Sequence, residues 1–120
     1  MPNSNDISWI AGFFEGEGSV GCYKRTDKRG SKVYHSYAFK VCIAQKEHDV
    51  LLWIKDLLGY GSLNHRQNKS SYGQDLWIWE AHNNQALQFL EMIKPYMRTK
   101  RKTEQMITAL SNRARFRKRK

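Results

Sequence analysis

The chain has 120 residues, a formal net charge of +10 and a hydrophobic content of 40%, with five Phe, six Tyr and four Trp. These values predict a single folded domain over residues 1–120 and exclude an intrinsically disordered chain. No apolar run reaches the roughly 18 residues of a transmembrane helix, and no basic-then-apolar leader opens the chain, so we expect an intracellular protein without a membrane partner.

Positive charge is concentrated at the C-terminal end of the chain. Residues 98–120 hold ten of the 21 Lys and Arg but only one of the 11 Asp and Glu, so almost all of the net charge lies there. A basic segment of this kind attracts polyanions because binding releases their condensed counterions. It indicates a nucleic acid or an anionic surface as partner, with a solubilising tail as the alternative, and it indicates nothing about chemistry.

The cysteines and histidines follow no known disulfide or zinc pattern. Cys22 and Cys42 are too few for a disulfide framework, and the histidines at 35, 48, 65 and 82 lack zinc-ligand spacing. We therefore expect two reduced thiols on neighbouring strands and no zinc site.

The first element in chain order is a predicted helix with apolar residues on more than one face. Asn5 or Asp6 is suited to cap a helix that begins near Ile7. Its apolar residues are Ile7, Trp9, Ile10, Ala11, Phe13 and Phe14. A helix this apolar needs burial on two sides. Gly12 and Gly16 stack on one face and allow another backbone to approach, and the expected partner is the same helix from a second copy.

Two predicted hairpins account for the strands. Alternating apolar and polar residues predict a first hairpin with strands over 20–25 and 33–43 and a loop at 26–31. They predict a second hairpin with strands over 60–66 and 72–81 and a loop at 67–71. In the strand over 33–43 the large apolar residues share one parity, so we expect the sheet to bury one face only.

Apolar periodicity predicts three further helices. They run over 47–58, from Asn83 or Asn84 to Pro95, and from between Thr99 and Thr103 into the basic end. Their predicted inward residues are Val50, Leu51, Trp53, Ile54, Leu57 and Leu58, then Ala86, Leu87, Leu90 and Ile93, and finally Met106, Ile107 and Leu110.

The element order αββαββαα predicts an α+β fold, in which both hairpins form one four-stranded antiparallel sheet with helices on one face. Alternation assigns six residues to the open face: Tyr23, Arg25, Ser36, Lys40, Asn64 and Arg66. A concave sheet with Arg, Lys, Asn and aromatic side chains suits a DNA groove, and an ordinary polar sheet face is the alternative.

Two carboxylates separated by glycines end the first helix, in Glu15-Gly16-Glu17-Gly18. The helix dipole disfavours an acid at that end, and a divalent cation offsets both the dipole and the clustered charge. Free carbonyls at a helix C-terminus add oxygen ligands of the kind that Mg²⁺ prefers. On these grounds alone, a structural helix end is the more common interpretation of so short a motif.

One segment resembles a known family. Residues 10–18, IAGFFEGEG, are similar to the signature helix of the LAGLIDADG homing endonucleases. The resemblance covers most of the chain, because the predicted element order is also that of the family. It implies an αββαββα fold with a saddle-shaped sheet and an extra C-terminal helix, and a function as a site-specific double-strand DNA endonuclease.

The resemblance also implies roles for particular residues. Glu17 matches the acid that binds the catalytic metal, with the Gly16 carbonyl beside it, and Glu15 matches an acid with a structural role. Gln45 is similar to the family's glutamine that positions water around the metal, and Lys100 to its active-site lysine. Beyond the open sheet face, we expect DNA contacts from Trp79, Arg98 and Lys102.

The chain departs from the family pattern in two ways. Both aspartates of the motif are glutamates, and Asp49 occupies a position where some relatives have an arginine. The candidates to replace that charge are Arg98, Arg101 and Lys102.

The single motif copy implies a homodimer, in which two copies of Glu17 converge and two sheets read a long pseudo-palindromic duplex. The expected cofactors are two or more Mg²⁺ ions shared across the dimer, for which Ca²⁺ or Mn²⁺ can substitute, without a small-molecule cofactor. The implied compartment is a bacterial or phage cytoplasm or an organelle. The alternatives are a non-cleaving relative, such as an intron maturase or DNA-binding regulator, and a small RNA-binding or ribosome-associated protein.

Overall fold

The chain folds into an antiparallel sheet that helices cover on one face. The computed structural model describes residues 2–66 and 75–117. Its elements are α1 (Ser4–Glu17), β1 (Gly18–Arg29), β2 (Lys32–Gln45), α2 (His48–Leu58), β3 (Ser62–Arg66), β4 (Leu76–His82), α3 (Asn84–Ile93), a 3-10 turn (Lys94–Tyr96) and α4 (Lys100–Arg117). Over these residues the sheet has four antiparallel strands in the order β1-β2-β4-β3, so the predicted α+β class and element order are confirmed.

The register of the sheet brings buried apolar side chains of neighbouring strands together on one face. Val20 pairs with Val41, Ile43 pairs with Trp79, and all four side chains are buried. They form one cluster with Phe14 of α1 and with the apolar faces of the other helices. The sheet therefore buries one face and leaves the other open, as the alternation predicts.

The first hairpin is longer than the sequence predicts, and its turn is tighter. β1 and β2 stay paired as far as Arg29, so the loop predicted at 26–31 is wrong. Gly30, at φ +65°, allows a two-residue turn. Cross-strand contacts continue along the extension, including Thr26 Oγ1 with His35 Nδ1 at 3.3 Å. Pairing of this kind, rather than an apolar pattern, extends the strands.

The helix α1 begins earlier than predicted. Asn3 is its N-cap, rather than Asn5 or Asp6, because the Asn3 side chain accepts a hydrogen bond from the backbone N–H of Asp6 at 2.9 Å. The helix therefore begins at Ser4 and is about one turn longer than expected.

Two side chains that were predicted to face the core are exposed. Trp53 of α2 is 39% exposed and Ile107 of α4 is 55% exposed. Ile54 faces the core in α2, and Met106 and Ala109 do so in α4. The wide apolar stripes of these helices do not by themselves tell which of two adjacent residues turns inward.

The second hairpin pairs β3 with β4, from Ser62 with Glu80 to Arg66 with Leu76. Its predicted loop at 67–71 lies outside the described residues. Each helix that the structure describes is too short or too polar to span a bilayer.

The two cysteines lie on neighbouring strands, as predicted, but on opposite faces of the sheet. Cys22 pairs with Phe39 on the core side, whereas the Cys42 Sγ lies 3.0 Å from Ser19 Oγ on the open side. Both are free thiols.

Candidate active site

A cleft of about 410 Å³ opens where α1 ends and α4 begins. Its lining among the described residues is Glu15, Gly16, Glu17, Gly18, Thr99, Arg101 and Lys102. Two carboxylates, two cationic side chains and the backbone of a helix end therefore share one small space.

Gly18 determines how the chain enters this cleft. It donates its N–H to the carbonyl of Phe14 at the end of α1, and it is also the first residue of β1. A Cβ at this position would collide with the Phe14 ring, so only glycine allows helix and strand to join this closely. Glu17 is thereby held as the last residue of the helix, with its side chain exposed.

Glu15 joins the end of α1 to the start of α4. Its carboxylate accepts a hydrogen bond from the backbone N–H of Arg98, at 2.6 Å, and another from that of Thr99. Desolvation raises the pKa of the Glu15 carboxyl, but the hydrogen bonds from Thr99 and Arg98 together outweigh it and hold the pKa below its ordinary value. Both carboxylate oxygens are thus engaged, and Glu17 is the exposed acid of the cleft.

Lys102, rather than Lys100, supplies the lysine of the cleft. Its Nζ donates a hydrogen bond to the carbonyl oxygen of Gly18 and lies 5.8 Å from the centre of the Phe14 ring. Desolvation lowers the pKa of Lys102 and Arg101 lowers it further, while Cys42 and Glu15 partly oppose the shift. The side chain of Lys100 is 90% exposed, and its Nζ lies 3.9 Å from Glu104.

Gln45 is near the same end of the sheet. It lies two residues beyond Ile43, which pairs with Gly18, and it shares the parity of Ile43. Its half-buried side chain is described by the structure but is outside the lining of the cleft.

Asp49 occupies the position at which some relatives have an arginine. Asp49 is exposed on α2 and lies 3.2 Å from the imidazole of His48. Of the three candidates to replace the charge, Arg101 and Lys102 line the cleft, and the backbone of Arg98 binds Glu15.

The open face of the sheet carries the residues that alternation assigns to it. Register places five described side chains opposite the core: Tyr23, Ser36, Lys40, Asn64 and Arg66. The backbone of Arg25, the sixth residue predicted for this face, pairs with Ser36. The face also holds Glu80, which lies between Lys40 and His82 and was not singled out from the sequence.

The prediction that Trp79 contacts DNA is wrong. Its side chain is fully buried, its Nε1 donates a hydrogen bond to the carbonyl of Tyr60 at 3.3 Å, and its ring lies 5.1 Å from that of Phe89. Trp79 pairs with Ile43, so it belongs to the core face. The alternation along β2 assigns Ile43 to the buried face, and a residue paired directly with a buried residue lies on the same face of the sheet.

One stripe of α1 faces away from the core. It consists of Asn5, Trp9, Gly12 and Gly16, at spacings of four, three and four residues. Trp9 is 50% exposed, stacks on Phe13 at 5.0 Å and meets Trp53 edge-on at 5.5 Å. Apart from its chain neighbours and the backbone of α1 itself, a Cβ added to Gly12 or Gly16 would meet no atom of the described residues within 4 Å.

Comparison with known families and structures agrees with this architecture. The family model described as LAGLIDADG endonuclease matches residues 10–109. No curated protein sequence matches the chain.

Several solved structures have the same fold. The group I intron-encoded homing endonuclease I-CeuI, complexed with DNA, has a TM-score of 0.64 and 18% identity over 92% of this chain and 55% of its own. The homing endonuclease I-TnaI has a TM-score of 0.58 and 22% identity, over 81% of this chain and 64% of its own. The archaeal intron-encoded homing endonuclease I-Vdi141I, complexed with DNA, has a TM-score of 0.53 and 25% identity, over 78% and 58%. The chain thus spans less than two thirds of each.

Proposed function

The chain belongs to the LAGLIDADG endonuclease family, and from this premise we propose that it is a homodimeric, metal-dependent nuclease that cleaves both strands of a specific DNA duplex. The observation that carries the proposal is the cleft at the end of α1, where Glu17 is exposed, Glu15 is engaged and Lys102 is held against the backbone.

Binding of duplex DNA is supported by the open sheet face and by the distribution of charge. The face presents cationic, amide and aromatic side chains without a covering layer of described residues, and nearly all the net charge of +10 comes from the segment over 98–120. Solved homing endonucleases of this fold have been crystallised with DNA. The basic segment would add phosphate contacts that weaken with salt.

The donors of the cleft fit a hard divalent cation. Glu17 offers a carboxylate, and Gly16 lies in the last helical turn, where carbonyl oxygens lack intrahelical donors. The described residues of one chain contain no group of three or more His, Cys, Asp and Glu that could hold a metal. Water, DNA phosphates and the Glu17 of a second copy would therefore complete the ligand set. A bound Mg²⁺ would polarise the phosphodiester and stabilise its developing charge, and Ca²⁺ or Mn²⁺ would compete for the same donors.

Lys102 is proposed as the lysine that acts beside Glu17. Its ammonium group, fixed by the Gly18 carbonyl, is suited to stabilise negative charge on a phosphate or to protonate a leaving oxygen. Gln45 keeps its proposed role in ordering water near the metal. For Lys100, which was predicted to be the active-site lysine, we propose the alternative role of phosphate contact, because its side chain is 90% exposed and outside the lining of the cleft.

A homodimer is supported by the stripe on α1. Its two glycines leave the helix backbone open, and the exposed Trp9 ring extends an apolar surface beside them. A second α1 packed on this stripe would bring two copies of Glu17 together, because Glu17 ends the same helix. Two close carboxylates repel unless a metal or a proton lies between them. A bound metal would therefore favour the dimer, and the dimer would bring two carboxylate ligands to the metal.

A second candidate function keeps the fold and omits cleavage. A DNA-binding or maturase-like relative would use the same open face, and an RNA-binding protein would use mainly the basic segment. The orientation of Glu17 and Lys102 toward one cleft favours the nuclease.

The decisive experiment is cleavage of a randomised duplex library with Mg²⁺, comparing the wild type with Glu17→Gln. We expect the wild type to produce double-strand cuts within a recurrent sequence and the variant to bind the same DNA with activity reduced at least about 100-fold. Glu91→Gln, at an exposed site on α3 with the same change of charge, is the matched control. DNA binding without Mg²⁺-dependent cleavage by the wild type would support the non-cleaving alternative.

A further inference from the structure

A carboxylate lies in the middle of the face that is proposed to bind DNA. Glu80 is on β4, the inner strand between β2 and β3, and its parity opposes that of the buried Trp79. Among the described residues of β2, β3 and β4, the open face carries no other acidic side chain. DNA phosphates repel such a group, so its presence reduces affinity for every sequence alike unless it makes a favourable contact with a base.

Glu80 is part of a charged row that crosses three strands. Its Oε2 lies 4.0 Å from the Nζ of Lys40, and its Oε1 lies 3.6 Å from the Nε2 of His82. The Lys40 Nζ is in turn 5.7 Å from the centre of the Tyr23 ring on β1. Lys40 and His82 thus flank Glu80 within the sheet face.

The distances in this row leave both charged groups able to bind a further partner. Contacts of 4.0 and 3.6 Å are longer than hydrogen bonds, so neither carboxylate oxygen of Glu80 is saturated by Lys40 or His82. The side chains of Lys40 and Glu80 are partly exposed, at 36% and 25%. The sheet thus presents a hydrogen-bond donor and an acceptor side by side, on adjacent strands.

This arrangement is complementary to one base pair. In the major groove a G·C pair presents the acceptors O6 and N7 on guanine, next to the N4 amino donor on cytosine. An A·T pair presents thymine O4, an acceptor, where cytosine has its donor, and that oxygen would repel Glu80. We propose that Lys40 and Glu80 together read a G·C pair, with Lys40 donating to guanine and Glu80 accepting from cytosine N4.

The register also locates this base pair. Gly18, which lines the cleft, pairs with Ile43 of β2. Lys40 is three residues from Ile43 along the strand, so it lies about 10 Å from the level of the cleft. With about 3.4 Å per base pair, the G·C pair would lie about three base pairs outward from the cleft. In a homodimer it would occur at two symmetric positions. The inference rests on the proposed DNA-binding function and specifies which residues give it selectivity.

The test is selection of bound duplexes from a randomised library, without divalent cation and at one salt concentration. The wild type is compared with Glu80→Gln, Lys40→Gln and Asp27→Asn. We expect G·C at the two symmetric positions for the wild type. In Glu80→Gln, whose amide pairs well with adenine, the preference for cytosine should fall about tenfold there and nowhere else, and Lys40→Gln should relax the preference for guanine at the same positions.

Asp27→Asn removes the same charge from the same face, at the far end of β1. It should tighten binding to all sequences alike. The proposal is overturned if Glu80→Gln does the same with unchanged base preferences, or if Lys40→Gln alters a different position. Circular dichroism verifies that each variant is folded. If the wild type binds no duplex at all, the proposed function itself fails, a result distinct from binding with unaltered preferences.

Discussion

The Nζ of Lys102 donates a hydrogen bond to the carbonyl oxygen of Gly18, which ties the first turn of α4 to the junction between α1 and β1. Lys100, two residues earlier, is 90% exposed and lies beside Glu104 instead. Helical geometry explains the difference, because residues two apart point about 160° away from each other. Only one of the two lysines can therefore line the cleft.

Replacement of Lys102 should reduce cleavage much more than replacement of Lys100. We expect Lys102→Met to lower the rate about 100-fold, because a fixed positive charge beside the reacting phosphate is lost, while Lys100→Met removes an exposed cation and mainly weakens DNA binding. Single-turnover cleavage at saturating protein separates the two effects. Equal losses of single-turnover rate in the two variants would contradict this assignment.

The pH dependence of cleavage offers a second test of Lys102. Its pKa is lowered, chiefly by desolvation, so the ammonium should deprotonate below the ordinary pKa of 10.5. Activity that needs the charged form should fall as the pH rises through the lowered pKa. Lys102→Arg, which stays charged, should lose part of its activity but keep it to higher pH. An unchanged alkaline limb in Lys102→Arg would show that another group controls it.

Glu15→Gln should destabilise the fold, most of all near neutral pH. The carboxylate uses one oxygen for each N–H, of Arg98 and of Thr99, and glutamine replaces one of these oxygens with an NH2 donor. One exposed hydrogen bond is therefore lost, and the expected loss is about 1 kcal/mol of unfolding free energy. The lowered pKa of Glu15 means that the unfolded chain binds its proton first, so the stabilisation is present above the ordinary value of 4.5 and is lost as the pH falls through the folded-state pKa.

Chemical denaturation of both forms between pH 3 and 7 measures this effect, with Glu91→Gln as the control of equal charge. The wild type should lose more stability than Glu15→Gln on acidification, so that the two curves approach each other at low pH. Parallel curves would mean that the carboxylate of Glu15 does not anchor α4.

Local patterns predicted the parts of the site that depend on neighbouring residues. The helix end at Glu17 and the open face with Lys40 follow from periods of 3.6 and two residues, and the motif identified the family. The role of Lys102 did not follow, because its partner Gly18 is 84 residues away and the direction of the side chain depends on where α4 begins. Trp79 was misassigned because both faces of β4 carry large apolar residues, and only pairing with β2 decides which face is buried.

Tyr60→Phe should stabilise the protein. The Tyr60 hydroxyl oxygen is buried without a hydrogen-bond partner among the described residues, whereas its backbone carbonyl accepts from Trp79. Removal of a buried unpaired hydroxyl should raise the unfolding free energy by about 1 kcal/mol.

Burial also raises the pKa of Tyr60 to about 12 from the ordinary 10.0, so the unfolded chain ionises first and stability falls as the pH rises through this interval. Thermal melts at pH 7 and pH 11 should show a gain in Tm for Tyr60→Phe that is larger at pH 11, and a lower Tm at pH 7 would contradict the packing described for this residue.

Gly12→Leu should separate the proposed dimer without unfolding its subunits. A Cβ at Gly12 would have open space around it, and leucine favours a helix over glycine by about 1 kcal/mol, so the isolated subunit should be at least as stable as the wild type. Against a second α1 packed on the same stripe, the added bulk should cost about 1–3 kcal/mol and raise the dimer Kd about tenfold or more.

Gln88→Leu, at an exposed site on α3, adds the same apolar side chain elsewhere and should leave the Kd unchanged. Sedimentation equilibrium gives the Kd, and cleavage at a fixed low concentration should fall in parallel, because each subunit provides one Glu17. If Gly12→Leu remains dimeric with full activity, the stripe on α1 is not the interface, and the two copies of Glu17 do not meet by the route proposed.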